Sequence, residues 1–212
     1  RPQLVSNTEP IDTEKISFGT KTTRAPTFPK RASVISNATI NNILELNRTN
    51  LIGILEDRGC KVDHTSENFF DASNYNLIIS FGYRYIIPNE AIRDSCPIIN
   101  LHISFLPFNR GSHPNFWSHF DDTPSGVTIH LIDKGIDTGK YLYQKKVFFN
   151  IKKITYKESY EILINEIENL FIQNLEEILS LKFDPKKYRD KGTYHSSADL
   201  PKEVDWSRII YD

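Results

Sequence analysis

Short apolar runs alternate along the chain with longer stretches in which apolar residues recur every three or four positions. The short runs, at residues 32–36, 60–62, 75–80, 97–100, 126–132 and 142–149, predict strands. After the first run, the spacing predicts a helix of about twenty residues that ends at Gly59, and its buried stripe contains Ile40, Ile43, Leu44, Leu51 and Leu55. Residues 156–181 predict a long amphipathic helix that packs on the sheet.

Strands that alternate with helices usually pair in parallel through right-handed crossovers. The pattern therefore predicts an α/β fold with a Rossmann-like, mostly parallel sheet of about six or seven strands flanked by helices. Ligands of such sheets bind outside the carboxyl ends of the strands, where the strand order switches. Candidate chemistry should therefore be sought where the predicted strands end.

Polar side chains follow two of these strands. Alternation places Asn100, His102 and Ser104 on one face of their strand and apolar residues on the other. After the strand at 126–132, two glycines allow a sharp turn that carries Asp137. We expect these groups to converge, so that His102 can accept a proton, Asn100 can donate to an oxyanion and Asp137 can orient the imidazole.

Covalent catalysis and metal chemistry are both disfavoured. The chain has no Gly-x-Ser-x-Gly elbow, and neither Cys60 nor Cys96 is next to a histidine in sequence. Direct transfer between two bound substrates fits better. The spacings of His113, His119 and His130 match no common zinc pattern, so no metal is expected.

The order and spacing of the motifs are specific. Residues 100–114 read Asn-x-His-x-Ser-x-Leu-Pro-x-x-Arg-Gly-x-x-Pro, and Gly-Val-Thr at 126–128 and Asp-x-Gly-Ile-Asp-Thr-Gly at 133–139 follow. This arrangement resembles the folate-dependent formyltransferase family, which includes methionyl-tRNA, glycinamide ribonucleotide and nucleotide-sugar N-formyltransferases. The resemblance extends over residues 75–147 and implies the same Rossmann-like fold.

The resemblance implies transfer of a formyl group from 10-formyltetrahydrofolate to an amine, with Asn100, His102 and Asp137 as the catalytic residues and no metal. It also implies that two segments bind the folate, namely Phe81, Gly82, Tyr83, Tyr85, Ile86, Ile87, Pro88, Asp133, Gly135 and Ile136. The acceptor side is expected to be shaped by Ser104, Arg110, Gly111, Pro114 and Trp117. Arg110 then meets an acidic ligand or an internal carboxylate, and Trp117 stacks on a ring or packs in the core.

The acceptor expected from the resemblance is a nucleotide-linked amino-dideoxy sugar, with dTDP as the nucleotide, used for bacterial surface polysaccharide such as the O-antigen of lipopolysaccharide. The glycine-rich phosphate loop of the glycinamide ribonucleotide enzymes has no counterpart at residues 36–40, which contain no glycine. Three alternatives stay open: formylation of methionyl-tRNA or another amine, hydrolysis of formyltetrahydrofolate, and a catalytically silent ligand-binding module.

Composition narrows the partners. The 212 residues include 26 basic and 27 acidic side chains, so no charge excess favours nucleic acid. Apolar runs fall short of the roughly 20 residues that span a bilayer, and no secretory leader is evident. We therefore expect a cytoplasmic protein with reduced cysteines that binds small molecules and does not insert into membranes. A homodimer stays open, because no interface is readable from the sequence.

Three segments are expected along the chain. Residues 1–30, rich in proline, threonine and serine, predict a poorly ordered leader or arm. Residues 31–182 form the formyltransferase catalytic domain, and residues 183–212 form a short tail packed on or near it. In the family's tRNA-acting branch a β-rich domain follows instead, and the tail is too short to build one.

Overall fold

A computed structural model describes residues 31–36, 51–67, 72–94 and 96–211 of the chain. The leader at residues 1–30 lies outside this part. So do Ile40, Ile43 and Leu44, three members of the predicted first helical stripe. The other two members, Leu51 and Leu55, are buried on a helix of the described part.

Six strands form one sheet in the spatial order β2-β1-β3-β4-β6-β7. Their bounds are β1 Arg31–Ser36, β2 Lys61–Thr65, β3 Leu77–Phe81, β4 Ile98–His102, β6 Gly126–Leu131 and β7 Tyr141–Lys146, and two short strands, β5 Arg110–Gly111 and β8 Tyr194–His195, pair separately. The described helices are α1 Leu51–Asp57, α2 Asn89–Asp94, α3 Pro114–Phe120, α4 Tyr156–Gln173 and α5 Leu175–Leu179. The predicted α/β sheet is confirmed.

The sheet is mixed, because only strands β1 to β4 are mutually parallel. Strand β6 runs antiparallel to β4, and β7 runs antiparallel to β6. Residues 103–125 leave β4 at its carboxyl end and enter β6 beside that same end, without crossing the sheet. Residues 132–140 then turn directly back into β7, as in a hairpin. The sheet is thus mostly parallel, as predicted, and β6 and β7 are its antiparallel part.

The core lies between the sheet and α4, which buries Leu163, Ile164, Ile167 and Phe171. A capping box begins this helix: Thr155 Oγ1 accepts the Glu158 N–H, and the Glu158 carboxylate accepts the Thr155 N–H. The single helix predicted for 156–181 is interrupted at Asn174. Its amide donates to the Leu170 carbonyl at 2.7 Å, a side-chain bond that competes with helical pairing.

The segment after α5 returns to the domain along backbone hydrogen bonds. Tyr141 and Lys186 exchange N–H···O bonds of 3.0 and 2.8 Å, and β8 pairs in parallel with β5. Gly111 of β5 has a φ of 90°, and a Cβ there would overlap the His195 carbonyl. Glycine at position 111 is thus required for the close approach of the tail.

Among the described helices, none combines the length and the apolar character needed to cross a lipid bilayer.

The stability contributed by the α4 interface can be tested with a matched pair of variants. Ile167 is fully buried against the sheet, whereas Ile162 on the same helix is 38% exposed. We expect Ile167→Ala to lower the free energy of unfolding by about 2–5 kcal/mol, since it leaves a cavity. Ile162→Ala should cost less than about 1 kcal/mol. Urea denaturation followed by circular dichroism measures both, and equal losses would contradict this packing.

Candidate active site

Polar side chains of β4 and β6 lie side by side because of the pairing register of the two strands. Asn100 is opposite His130, and His102 is opposite Thr128. Residues directly opposite each other in an antiparallel pair project on the same face of the sheet. The Asn100 Nδ2 atom accordingly lies 3.3 Å from His130 Nε2, and the two imidazole rings stand edge to face with centroids 5.9 Å apart.

Asp137 reaches this pair from the turn between β6 and β7. Its Oδ2 accepts the Gly111 N–H at 2.8 Å and lies 3.7 Å from His102 Nε2. Its Oδ1 lies 3.5 Å from both Asn100 Nδ2 and His130 Nε2. The three side chains predicted to converge, Asn100, His102 and Asp137, therefore lie next to one another.

The turn achieves this differently from what the glycine pattern predicts. Asp137 itself adopts the left-handed conformation, with a φ of 51°, which aspartate tolerates better than most residues. Gly135 and Gly139 are needed for space instead. A Cβ at Gly135 would strike the Thr138 side chain, and one at Gly139 would overlap the Leu131 carbonyl.

The surroundings set the charge of these groups in opposite ways. Burial lowers the pKa of His102, and His130 acts in the same direction, although the Asp137 carboxylate and a hydrogen bond to the Asn109 backbone oppose them. For Asp137, burial acts to raise the pKa, but His102, His130 and the Gly111 N–H outweigh it and hold the pKa below its usual range. Near neutral pH this gives a neutral imidazole beside an ionised carboxylate.

His102 offers an unused proton acceptor. Its Nε2 is buried and has no hydrogen-bond partner among the described residues. A buried polar atom without a partner is costly, so such atoms often mark the place where a ligand or reacting group binds. The lone pair of the neutral ring at this position can accept a proton.

His130 also belongs to the site, although it was not among the residues predicted to be catalytic. Its Nδ1 lies 2.9 Å from the Leu131 carbonyl, which only accepts, so Nδ1 carries a hydrogen. In the neutral ring Nε2 then accepts from the Asn100 amide, which orients that amide. Alternation with Thr128 on β6 was a signal that His130 faces the site, but its partner became clear only with the antiparallel register.

A cavity of about 900 Å³ opens in front of these groups. Asn100, His102 and Asp137 line it, as do Gly111 and Pro114. All ten residues predicted to bind the folate line it as well: Phe81, Gly82, Tyr83, Tyr85, Ile86, Ile87, Pro88, Asp133, Gly135 and Ile136. The volume is within the range of pockets that enclose cofactor-sized ligands.

Ser104, Arg110 and Trp117 lie away from this lining and make internal contacts. The Ser104 hydroxyl donates to the Phe108 carbonyl at 2.6 Å, and Arg110 Nε donates to the Thr193 carbonyl at 3.3 Å. The Trp117 ring is buried and stacks on the His195 ring at 4.0 Å. Through these contacts the three side chains stabilise the β4–β5 loop and the tail, and they do not form the cavity wall.

The tail supplies lining residues that the sequence did not indicate. Tyr194, Ser196 and Ser197 line the cavity, together with Tyr160 and Ile164 of α4. Because the tail reaches the site through the β5–β8 pairing, which is distant in sequence, no local pattern could have revealed these contacts.

The two imidazoles and the carboxylate are also the grouping in the described part of the chain that could hold a metal ion, with donor atoms within 4.8 Å of one another. The carboxylate, however, accepts the Gly111 N–H, and its other oxygen faces the Asn100 amide. A cation that bound these two oxygens would have to displace the N–H groups of Gly111 and Asn100 that point at them. The arrangement is better suited to handling protons than to metal ligation.

The comparisons with known proteins agree with this geometry. A family model described as "Formyl transferase" matches residues 31–174, more than half of the chain. The chain therefore belongs to the formyl transferase family.

Individual relatives differ in what they act on. Methionyl-tRNA formyltransferase of Clostridium novyi is 33% identical over 138 residues, which are 63% of this chain and 44% of that protein. The chain spans less than half the length of the curated relatives it matches.

Two solved structures extend the comparison. The formyltransferase PseJ from Anoxybacillus kamchatkensis, in complex with UDP-4,6-dideoxy-4-formamido-L-AltNAc and tetrahydrofolate, is 31% identical and superimposes with a TM-score of 0.73 over 85% of this chain and 96% of that one. The N-formyltransferase from Helicobacter canadensis, in complex with folinic acid and dTDP-3-aminofucose, is 22% identical with a TM-score of 0.61, over 84% of this chain and 76% of that one. The second likeness concerns the fold alone.

The electrostatic coupling between Asp137 and His102 gives a prediction that needs no substrate. In Asp137→Asn the amide keeps the left-handed turn accessible, but the negative charge that raises the pKa of His102 is gone. We expect the pKa of His102 to fall further below its usual value. An NMR titration of the labelled histidine rings measures this.

Asp133→Asn is the matched control for that titration. The Asp133 carboxylate accepts from Gly135 N–H and Thr138 Oγ1 in the same turn and should leave the His102 titration unchanged. An unchanged or raised pKa of His102 in Asp137→Asn would contradict the coupling.

Proposed function

We propose that this protein is an N-formyltransferase that moves a formyl group from 10-formyltetrahydrofolate to the amine of a nucleotide-linked amino sugar. The observation that carries the proposal is the convergence of Asn100, His102 and Asp137 at the wall of one large cavity. Family membership supports formyl transfer as the reaction.

The folate is expected to bind where the segments 81–88 and 133–136 face each other across the cavity. Both segments line it, and they combine exposed apolar side chains such as Ile86 and Ile136 with backbone groups at Gly82 and Gly135. This mixture suits a planar heterocycle with polar edges. Bound there, the folate would supply the formyl group.

His102 is proposed as the base. As the amine nitrogen bonds to the formyl carbon, it must lose a proton, and the neutral His102 Nε2 is positioned at the cavity wall to receive it. The ionised Asp137 carboxylate, 3.7 Å away, stabilises the imidazolium that results. His102 can then return the proton to the folate nitrogen as the bond from that nitrogen to the formyl carbon breaks.

Asn100 is proposed as a donor to the formyl oxygen. Its amide nitrogen has two acceptors within 3.5 Å, namely His130 Nε2 and Asp137 Oδ1. A negative charge develops on the formyl oxygen during the reaction. To donate to it, the amide must give up the longer of these two bonds, which is the one to Asp137 Oδ1. One such donor accelerates acyl transfer by about a hundred- to a thousandfold.

Two observations support the proposed acceptor class. The PseJ likeness extends over 96% of a protein that was crystallised with a UDP-linked formamido sugar. The tail and α4 also add lining residues to the cavity beyond the two segments proposed to bind the folate. The sugar that we propose carries its amine on a dideoxy ring, with UDP or dTDP as the nucleotide, and serves surface polysaccharide synthesis in the cytoplasm.

A methionyl-tRNA acceptor is the second candidate, favoured by the name of the Clostridium novyi relative. Hydrolysis of formyltetrahydrofolate is a third outcome, since the same base could activate water. Each of these reactions gives a different product, so one assay distinguishes them.

The acceptor can be identified with the purified protein. We expect it to formylate at least one amino sugar in a panel of UDP- and dTDP-linked 3-amino- and 4-amino-dideoxy sugars, with one tetrahydrofolate released per formamide. Mass spectrometry detects the product, and EDTA should have no effect on the rate. Formylation of methionyl-tRNA alone would contradict the sugar assignment, and formate release at full rate without any acceptor would indicate a hydrolase.

The role of His102 can be tested by substitution. We expect His102→Ala to lower kcat by about a hundred- to ten-thousandfold, because a positioned proton acceptor is lost. His64→Ala, which removes an exposed imidazole from β2, is the control and should retain activity. Steady-state kinetics with saturating acceptor measures both, together with a thermal melt to establish that each variant is folded. Turnover in His102→Ala within a few-fold of the parent would exclude His102 as the base.

A further inference from the structure

A second cavity of about 340 Å³ adjoins the catalytic one. The two cavities share Ile103, Pro114 and Tyr160 in their walls. The second cavity lies between the start of α3, the start of α4 and the end of the tail. It is therefore adjacent to the catalytic cavity, in which the acceptor amine is proposed to react.

Aromatic rings dominate the wall of this second cavity. Trp206 of the tail is 39% exposed, and its ring lies 5.9 Å from His113, 6.2 Å from Phe116 and 6.3 Å from Tyr156, centroid to centroid. The His113 and Trp206 planes are within 28° of parallel, whereas Phe116 and Tyr156 present their rings nearly at right angles to the indole. A flat apolar group is the shape that such a set of rings accommodates.

The backbone, and not the indole, fixes the position of Trp206. The Lys157 N–H donates to the Trp206 carbonyl at 2.9 Å, and the Tyr156 N–H donates to the Arg208 carbonyl at 3.4 Å. The Ile210 N–H in turn donates to the Ile154 carbonyl at 3.0 Å. The tail is thus attached to the start of α4 by main-chain bonds that any residue at position 206 could make, and the indole is left to form the cavity wall.

We propose that this second cavity binds the nucleobase of the nucleotide-linked acceptor, with the base against Trp206. This inference rests on the proposed function, because it assumes that the acceptor carries a nucleotide. The sugar would extend past Ile103 and Pro114 into the catalytic cavity, so that its amine reaches His102. Lys157 and His113, both exposed at the wall, provide a cation and a ring nitrogen for the diphosphate.

A nucleobase fits better than a simple hydrocarbon for two reasons. The wall combines aromatic rings with the exposed side chains of His113 and Lys157, which matches a planar ring attached to a charged diphosphate. The partial exposure of Trp206 also suits a ligand that enters and leaves the cavity in every turnover. Stacking of a base on an aromatic ring, in addition, tolerates the difference between uracil and thymine.

The first test compares two aromatic substitutions. We expect Trp206→Ala to raise the KM for the nucleotide-linked acceptor by about five- to a hundredfold, the range of one lost base–aromatic stack. The KM for formyltetrahydrofolate should stay the same. Phe120→Ala is the control: Phe120 is 63% exposed and stacks on Phe116 but lines neither cavity. It should leave both constants unchanged.

The second test needs no turnover. The chain contains two tryptophans. Trp117 is buried, so a quencher dissolved in the solvent acts mainly on the fluorescence of Trp206. We expect UDP and dTDP to quench the fluorescence of the parent protein in a saturable way and to leave Trp206→Phe unaffected. Irradiation with 5-iodo-UDP should attach the base to residues of the second cavity, which peptide mass spectrometry identifies.

The outcomes separate this inference from the proposed function. Saturable UDP or dTDP binding at Trp206 without formylation of any sugar would support the base site and refute the proposed reaction. Formylation of a nucleotide sugar with an unchanged acceptor KM in Trp206→Ala, and no quenching, would refute the base site alone. A change of oligomeric state in Trp206→Ala, measured by sedimentation and without any KM effect, would assign this face to a second copy of the chain and overturn the proposal.

Discussion

The Asp137 carboxylate joins two loops that are 26 residues apart in sequence, through the bond that it accepts from the Gly111 N–H. One loop leads from β4 into β5, and the other connects β6 to β7. The same carboxylate lies beside both imidazoles of the site. Gly111 is itself held by the pairing of β5 with β8, so the position of the acid depends on the tail as well as on the turn.

The Asp137 carboxylate also affects the ionisation of His102. A buried imidazole alone would be neutral but badly placed to become charged during a reaction. A carboxylate that is kept ionised by a backbone N–H and by two imidazoles supplies the missing stabilisation without taking the proton. Burial of His102 and the ionised Asp137 carboxylate 3.7 Å from its Nε2 are thus two parts of one arrangement.

Local sequence patterns predicted the strands, the buried face of α4 and the meeting of Asn100, His102 and Asp137, because each depends on alternation or on strand ends. They could not predict the antiparallel direction of β6 and β7, since that direction depends on where residues 103–125 travel. His130 and the tail residues at the cavity wall were missed for the same reason. Both reach the site through pairing between segments distant in sequence, and a local pattern does not show which segment becomes the pairing partner.

The two substrates proposed for this protein would meet walls of different origin. The folate segments 81–88 and 133–136 follow β3 and β6, which are central to the sheet and cannot change without disturbing its core. The proposed acceptor side is built from α3, the start of α4 and the end of the tail, and around Trp206 the tail is attached to α4 by main-chain hydrogen bonds. A substitution of the Trp206 side chain can therefore alter the proposed acceptor site without removing those bonds or the groups around Asp137. Under the proposed function, position 206 is thus a place where acceptor preference can vary independently of the proton-transfer groups.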